Sequence, residues 1–210
     1  MSREQRILTH AESARKEEFE TKTRELESQG YTKNDLTVSV MRANVMALVI
    51  MIPIIVLFTF LFINVNHRAI TMDYTGVTLL LFLVIFIILV VVHEGIHGLT
   101  WACFTKDHLK GISFGFIMKS MTPYCTCKTE LTRSAYITGT LMPTILLGIL
   151  PSVIGIVLNN VFIFDLGLVL ILSGGGDAYI VYKLVSHKIK GSECLCIDHP
   201  YECGVVTFEK

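Results

Sequence analysis

The chain has 210 residues, of which 52% are hydrophobic and 17% are charged, and its formal net charge is zero. This length fits one domain, but the composition is too apolar for an ordinary soluble protein. The apolar residues come in long blocks, as in membrane helices. The balanced charge argues against a nucleic-acid-binding protein.

Residues 1–43 are rich in charge, and we expect them to form a helical, cytosolic N-terminal arm. Glu12 and Lys16, and likewise Glu20 and Arg24, are spaced four apart with the acid first, which is the favourable order on an exposed helix. Because the arm is polar, we expect no cleavable signal peptide.

Four apolar stretches predict four transmembrane helices within a membrane domain over residues 44–185. Each stretch reaches about the 20 residues that the hydrocarbon core requires. The predicted spans are residues 45–65, 77–104, 135–158 and 161–185. The polar residues 186–210 are expected to form a cytosolic C-terminal tail, so the predicted fold class is an all-α membrane protein with one small β-hairpin.

The hairpin is predicted over residues 111–128, between helices two and three. Ile112, Phe114 and Phe116 alternate with small or polar residues, and residues 124–127 have strand propensity. Two roles remain open for this hairpin. Its edge could bind an extended substrate peptide by adding a strand, or the hairpin could serve only in packing.

The distribution of basic residues predicts the topology. Of the 18 Lys and Arg residues, 17 lie in the N-terminal arm, between spans two and three, or from Lys183 onward; the other is Arg68, between spans one and two. By the positive-inside rule, both termini and the hairpin face the cytosol of a multi-pass cell-membrane protein. Five of the six cysteines then lie in cytosolic segments, where free thiols are expected.

The inner end of span two carries a His-Glu-x-x-His motif, from His93 to His97. Residues four apart share a helix face, so His93 and His97 could bind one ion while Glu94 reaches a water on that ion. Zinc binds neutral imidazole nitrogens and keeps an open position for water when it is catalytic. The alternative is a pair of packing histidines with a chance Glu, which leaves costly ionisable groups at membrane depth without a purpose.

Asp177, in span four, is the best candidate for a third ligand. Spans two and four run in the same direction, and His93 and Asp177 each lie sixteen residues after the predicted start of their span. At about 1.5 Å per residue, both lie about 24 Å from the outer end. His108 and His187, near the inner boundary, are the runners-up. Alternatively, Asp177 is a packing carboxylate bonded to backbone or water.

The His-Glu-x-x-His motif in one span, followed by Gly-Gly-Gly-Asp in a later span, resembles the site-2 protease class of intramembrane zinc metallopeptidases. More closely, the chain resembles a family of membrane proteins called putative zincin peptidases, whose function is otherwise unknown. The similar parts include Ala43-Asn44, Phe114-Gly115-Phe116, Thr122-Pro123-Tyr124, Cys127-Lys128 and Leu141-Met142-Pro143.

The resemblance implies that His93, His97 and Asp177 bind Zn²⁺ and that Glu94 is the catalytic carboxylate. The chain departs from site-2 proteases at the third ligand, where they commonly have Leu-Asp-Gly and this chain has Gly-Asp-Ala.

The predicted function is an intramembrane zinc metallopeptidase that hydrolyses peptide bonds of membrane-embedded or membrane-adjacent substrates through a zinc-bound water activated by Glu94. Its expected partners are a membrane peptide or protein substrate and the lipid bilayer, without nucleic acid. A hypothesis of another class is a non-catalytic zinc-binding membrane protein, serving as a scaffold or in metal handling. Glu94 separates the two, because a pure binding site does not need it.

Overall fold

The structure, a computed structural model, describes residues 9–71, 74–117 and 122–210. Its helices are α1 (His10–Ser28), α2 (Val40–Asn66), α3 (Gly76–Ala102), α4 (Arg133–Pro143), α5 (Leu150–Val157), α6 (Val161–Ser173) and α7 (Gly175–Ser186). Its strands are β1 (Thr32–Asp35), β2 (Ile112–Ile117), β3 (Thr122–Cys127), β4 (Leu131–Thr132), β5 (Cys194–Asp198) and β6 (Val205–Glu209). A π-helical turn, Thr144–Ile149, joins α4 to α5.

Three helical stretches are long and apolar enough to cross a membrane, namely α2, α3 and the run Arg133–Val157. α6 and α7 meet the same criterion only as a pair, which is bent by 45°. Large exposed side chains along α2 and α3 are apolar, for example Phe60, Leu80 and Ile87. An exposed apolar surface of this kind suits lipid, so the chain is consistent with a membrane protein of three or four spans.

The bend falls at the glycines that precede Asp177. A Cβ on Gly174 would meet the side chain of Thr144, and a Cβ on Gly175 would meet Ala47 of α2. Small residues allow helix backbones to approach closely. The glycines therefore let the start of α7 pack tightly between α2 and the π-helical turn.

Segments from three parts of the chain form one four-stranded sheet, in the order β1-β6-β5-β4. β1 comes from the N-terminal arm, β5 and β6 come from the C-terminal tail, and β4 comes from the segment just before α4. β1 and β6 pair antiparallel, so segments from the two ends of the chain lie side by side. α1 begins with a capping box between Thr9 and Glu12. It packs on the sheet through Phe19 and Leu26, which belong to one apolar cluster with Ile197, Val206 and Phe208.

The expectation that the hairpin is the only β structure is wrong. β1 has the polar sequence Thr-Lys-Asn-Asp, which has low strand propensity, and its partner β6 lies near the other end of the chain. Strand formation here depends on long-range pairing and on the apolar face of β6, which local patterns do not reveal.

The hairpin lies between α3 and α4. β2 and β3 pair antiparallel, from Ile112 opposite Cys127 to Ile117 opposite Thr122. Residues 118–121, which join the two strands, lie outside the described residues. α1 contacts the hairpin, because the Arg15 guanidinium donates to the Tyr124 hydroxyl and Lys128 forms an ion pair with Glu18 at 3.2 Å.

The six strands of the described chain lie at one end of the apolar helices. α2 begins there, α3 ends there, α4 begins there, and α7 ends there. This is the end that the basic residues assign to the cytosol, and that assignment stays a prediction.

Cysteine labelling tests the topology. In intact cells, a membrane-impermeant maleimide should label an Arg68→Cys variant from outside. Lys188→Cys, at the opposite end, should react only after the cells are permeabilised. The wild type is a built-in control, because five of its six native cysteines lie in predicted cytosolic segments and Cys103 lies at the inner end of the second predicted span. Labelling of wild type in intact cells would contradict the predicted orientation.

Candidate metal centre

Two histidines of α3 face the same side of the helix, one turn apart. His93 and His97 are both buried, and their ring centroids lie 4.8 Å apart. α3 runs without interruption through both positions, so the i,i+4 spacing places the two rings on one face.

Asp177 lies in the first turn of α7 and reaches both rings. Its Oδ2 atom lies 3.1 Å from His93 Nε2 and 3.4 Å from His97 Nε2. The ligand atoms of the three residues lie within 4.8 Å of one another, and this is the one group found in the described residues that could hold a metal ion. The structure thus brings together the two motif histidines and the predicted third ligand.

The two runner-up histidines have other partners. His108 Nδ1 donates to the carbonyl oxygen of Ala102 at 3.1 Å. His187 Nε2 lies 2.6 Å from Oε1 of Glu209, the last residue of the inner strand β6. Neither belongs to the cluster formed by His93, His97 and Asp177.

The donor atoms fit a zinc ion. His97 Nδ1 lies 2.9 Å from the carbonyl oxygen of Gly139, and because a carbonyl only accepts, Nδ1 carries the proton and donates it. In a neutral ring this leaves a lone pair on Nε2, which faces the Asp177 carboxylate. Two acceptor atoms in this position repel each other unless a cation joins them. Imidazole nitrogen and carboxylate oxygen are both zinc ligands.

Glu94 projects from α3 beside the cluster and is half-buried. The titratable groups around its carboxylate are His97, His93 and Asp177, and the backbone amide of Cys125 on β3 interacts with it as well. Glu94 lies outside the three-residue cluster that could hold the metal. Glu94 therefore lies next to the candidate metal site but is not one of its three candidate ligands.

The hairpin forms one wall of the site. Gly98 follows the motif on α3, and a Cβ at that position would meet Phe114 and Ile112 of β2. β2 can therefore lie directly on α3 at the level of His97. On the adjoining side, β3 brings Cys125 to Glu94.

A stack of aromatic rings packs against His97. The His97 ring is stacked on Trp101 with centroids 5.2 Å apart, and Trp101 is stacked on Tyr136 of α4 at 5.6 Å. The Tyr136 hydroxyl donates to Asp198 Oδ1 at 2.6 Å, and the amide of Cys127 donates to Asp198 Oδ2 at 2.8 Å. α3 is thereby connected to the hairpin and to β5 of the tail.

None of the residues that support the site was predicted from the sequence; these are Trp101, Gly139, Tyr136 and Asp198. Trp101 carried a signal, because it is the one tryptophan of the chain and lies four residues after His97 on the same helix face. Asp198 carried none, because its contacts with Tyr136 and Cys127 join segments far apart in sequence.

One comparison with known proteins gives a match. A family model described as "Putative zincin peptidase" matches residues 86–191, half of the chain. The matched region contains His93, Glu94, His97 and Asp177. No curated protein and no solved structure matches.

Asp198 gives a prediction about pH. Burial raises the pKa of Asp198 to about 6, although its hydrogen bonds from Tyr136 and Cys127 act in the opposite direction. An aspartate in an unfolded chain has a pKa near 3.9. Between about pH 4 and pH 6, the unfolded chain therefore loses this proton before the folded protein does, and the folded state becomes less stable as the pH rises.

We expect the melting temperature of metal-free wild type in detergent to fall more between pH 4 and pH 7 than that of Asp198→Asn. Asp107→Asn, at an exposed position, is the matched control and should keep the wild-type pH dependence. Identical pH dependence in wild type and Asp198→Asn would contradict the assignment.

Proposed function

We propose that this chain, which belongs to the family described as "Putative zincin peptidase", is an intramembrane zinc metallopeptidase of the site-2 type. The family suggests a zinc metallopeptidase, and the proposal adds the membrane setting and the roles of the residues. The observation that carries it is the convergence of His93, His97 and Asp177 from two apolar helical segments on one point.

His93, His97 and Asp177 would hold the zinc ion. The first two offer Nε2 atoms, and Asp177 offers Oδ2, the atom that lies closest to both rings. When bound, zinc would act as a Lewis acid that activates a water and polarises the scissile carbonyl.

Glu94 would move the proton. Its carboxylate lies beside the ligand cluster. Glu94 follows His93 directly on α3, so its side chain projects about 100° around the helix axis from that of His93. It would accept a proton from the attacking water and pass it to the nitrogen of the leaving amine. The amide of Cys125 would orient the carboxylate for this task.

The location of the cluster supports a membrane-embedded or membrane-adjacent substrate. His93 lies seventeen residues after the start of α3 at Gly76, which is about 26 Å along the helix axis. The site therefore lies near the end of the apolar segment that adjoins the strands. Water would enter from this end, which we assign to the cytosol of the cell, with both termini on the same side.

The hairpin would align the substrate. Among the described strands, β2 pairs with β3 alone, so its other edge offers unpaired backbone groups. Phe114 and Phe116 are about half exposed on this strand. An extended segment of a membrane peptide could add to the edge of β2 through backbone hydrogen bonds, directly beside the turn of α3 that carries Glu94 and His97.

Metal content tests the proposed site. Detergent-purified wild type should contain about one zinc per chain by elemental analysis, and His93→Ala and Asp177→Ala should lose it, because each removes a ligand. His67→Ala, at an exposed position after α2, is the matched control and should retain the metal. Absence of zinc from carefully handled wild type would overturn the proposal.

Glu94→Gln separates the peptidase from a protein that only binds zinc. The amide keeps the shape of the side chain but cannot accept the proton, so the variant should retain zinc and lose proteolysis of membrane substrates by at least about 100-fold. Loss of zinc in Glu94→Gln would show that Glu94 is a ligand. Undiminished proteolysis would exclude Glu94 as the base.

A further inference from the structure

The carbonyl group of Gly139 lacks its usual helical partner. In an α-helix, each carbonyl accepts the amide proton of the residue four positions later. For Gly139 that residue is Pro143, which lies inside α4 and has no amide proton. The next amide, that of Thr144, donates to Leu141 instead.

His97 takes the place of the missing donor. Its Nδ1 atom lies 2.9 Å from the Gly139 oxygen, and the contact is buried. In a membrane, a carbonyl without a helical partner needs another donor, and His97 needs an acceptor that fixes which ring nitrogen carries the proton. Each group satisfies the other, and Nε2 of His97 is left facing Asp177 as an acceptor.

Gly139 adds the space that this contact requires. A Cβ at Gly139 would meet the indole ring of Trp101. The absence of a side chain lets the indole lie flat against α4, where it stacks on His97. α3 and α4 therefore approach closely enough for His97 Nδ1 to reach the backbone of α4.

We infer that Pro143 is a positioning residue of the metal site, because it withholds an amide proton from Gly139 and so reserves that carbonyl for His97. The inference rests on the proposed function, since it concerns how a proposed zinc ligand is oriented. It applies to His97 alone. His93 Nδ1 is buried without a hydrogen-bond partner among the described residues, so the second histidine has no equivalent support.

Pro143→Ala tests the inference, because alanine supplies an amide proton that competes with His97 for the Gly139 carbonyl. We expect zinc affinity, measured by competition with a chelator, to fall about 10- to 100-fold, as for the loss of other groups that orient metal ligands. The melting temperature of the metal-free variant should be unchanged or higher, because alanine is the better helix former. A merely structural role for Pro143 would instead lower this melting temperature.

Two further variants separate the missing proton from the shape of the proline ring. Pro53→Ala restores an amide proton inside α2, where the carbonyl concerned belongs to the exposed Val49, and it should bind zinc as wild type does. The α-hydroxy analogue of alanine at position 143, introduced by nonsense suppression, has neither the ring nor an amide proton. It should also bind zinc with wild-type affinity.

Wild-type zinc affinity in Pro143→Ala, or weakened affinity in the α-hydroxy variant, would overturn the inference. If Pro143→Ala is not recovered folded, the α-hydroxy variant decides in the same way. Failure of this inference is distinct from failure of the proposed function. In the first case wild type holds zinc and His93→Ala loses it whatever happens at Pro143, whereas in the second case wild type holds no zinc.

Discussion

Two imidazoles and a carboxylate converge inside a bundle of apolar helices. The rest of the structure depends on compensating the free-energy cost of burying these three ionisable groups. An ionisable side chain at membrane depth costs at least about 2.5 kcal/mol unless it is paired or hydrated. At the depth proposed for the site, His93, His97 and Asp177 would share this cost because their ligand atoms converge within 4.8 Å. A single cation between them would satisfy all three, whereas separate burial of each would leave three unpaired groups.

Convergence requires backbones that lie closer together than ordinary side chains permit. Gly98 lets the hairpin touch α3, Gly139 lets Trp101 lie against α4, and Gly175 lets α7 approach α2. Each contact involves an element that carries a ligand of the cluster or touches one, namely α3, α4 or α7. The same residues that weaken isolated helices therefore define the geometry of the site, because packing against neighbours replaces intrinsic helix stability.

The local parts of this arrangement could be predicted from the sequence. A period of four residues is a property of the α-helix itself, so the pairing of His93 with His97 could be predicted from their spacing. Asp177 could be placed by depth, since the bilayer sets a common scale for two spans that run in the same direction. The bend at Gly174 changes the depth of Asp177 little, because it falls only three residues before that residue.

The parts that could not be predicted depend on contacts between distant segments. β1 forms because β6 provides a partner near the other end of the chain, and Asp198 matters because Tyr136 and Cys127 donate to it. Pro143 alone indicates that the carbonyl of Gly139 has no helical amide donor, but its contact with His97 could be found only from the three-dimensional structure. Propensity and periodicity describe one segment at a time, so they carry no information about such pairs.

The separation of the ligands along the chain has a mechanical consequence. His93 and Asp177 are 84 positions apart, and the hairpin and α4 to α6 lie between them. An ion bound to both would close this segment into a loop and remove the corresponding freedom from the unfolded chain, a gain that grows with the logarithm of loop length. The six cysteines are all free thiols. The metal would therefore be the cross-link of this protein, fastening the α3 side of the bundle to α7 whether or not a substrate is bound.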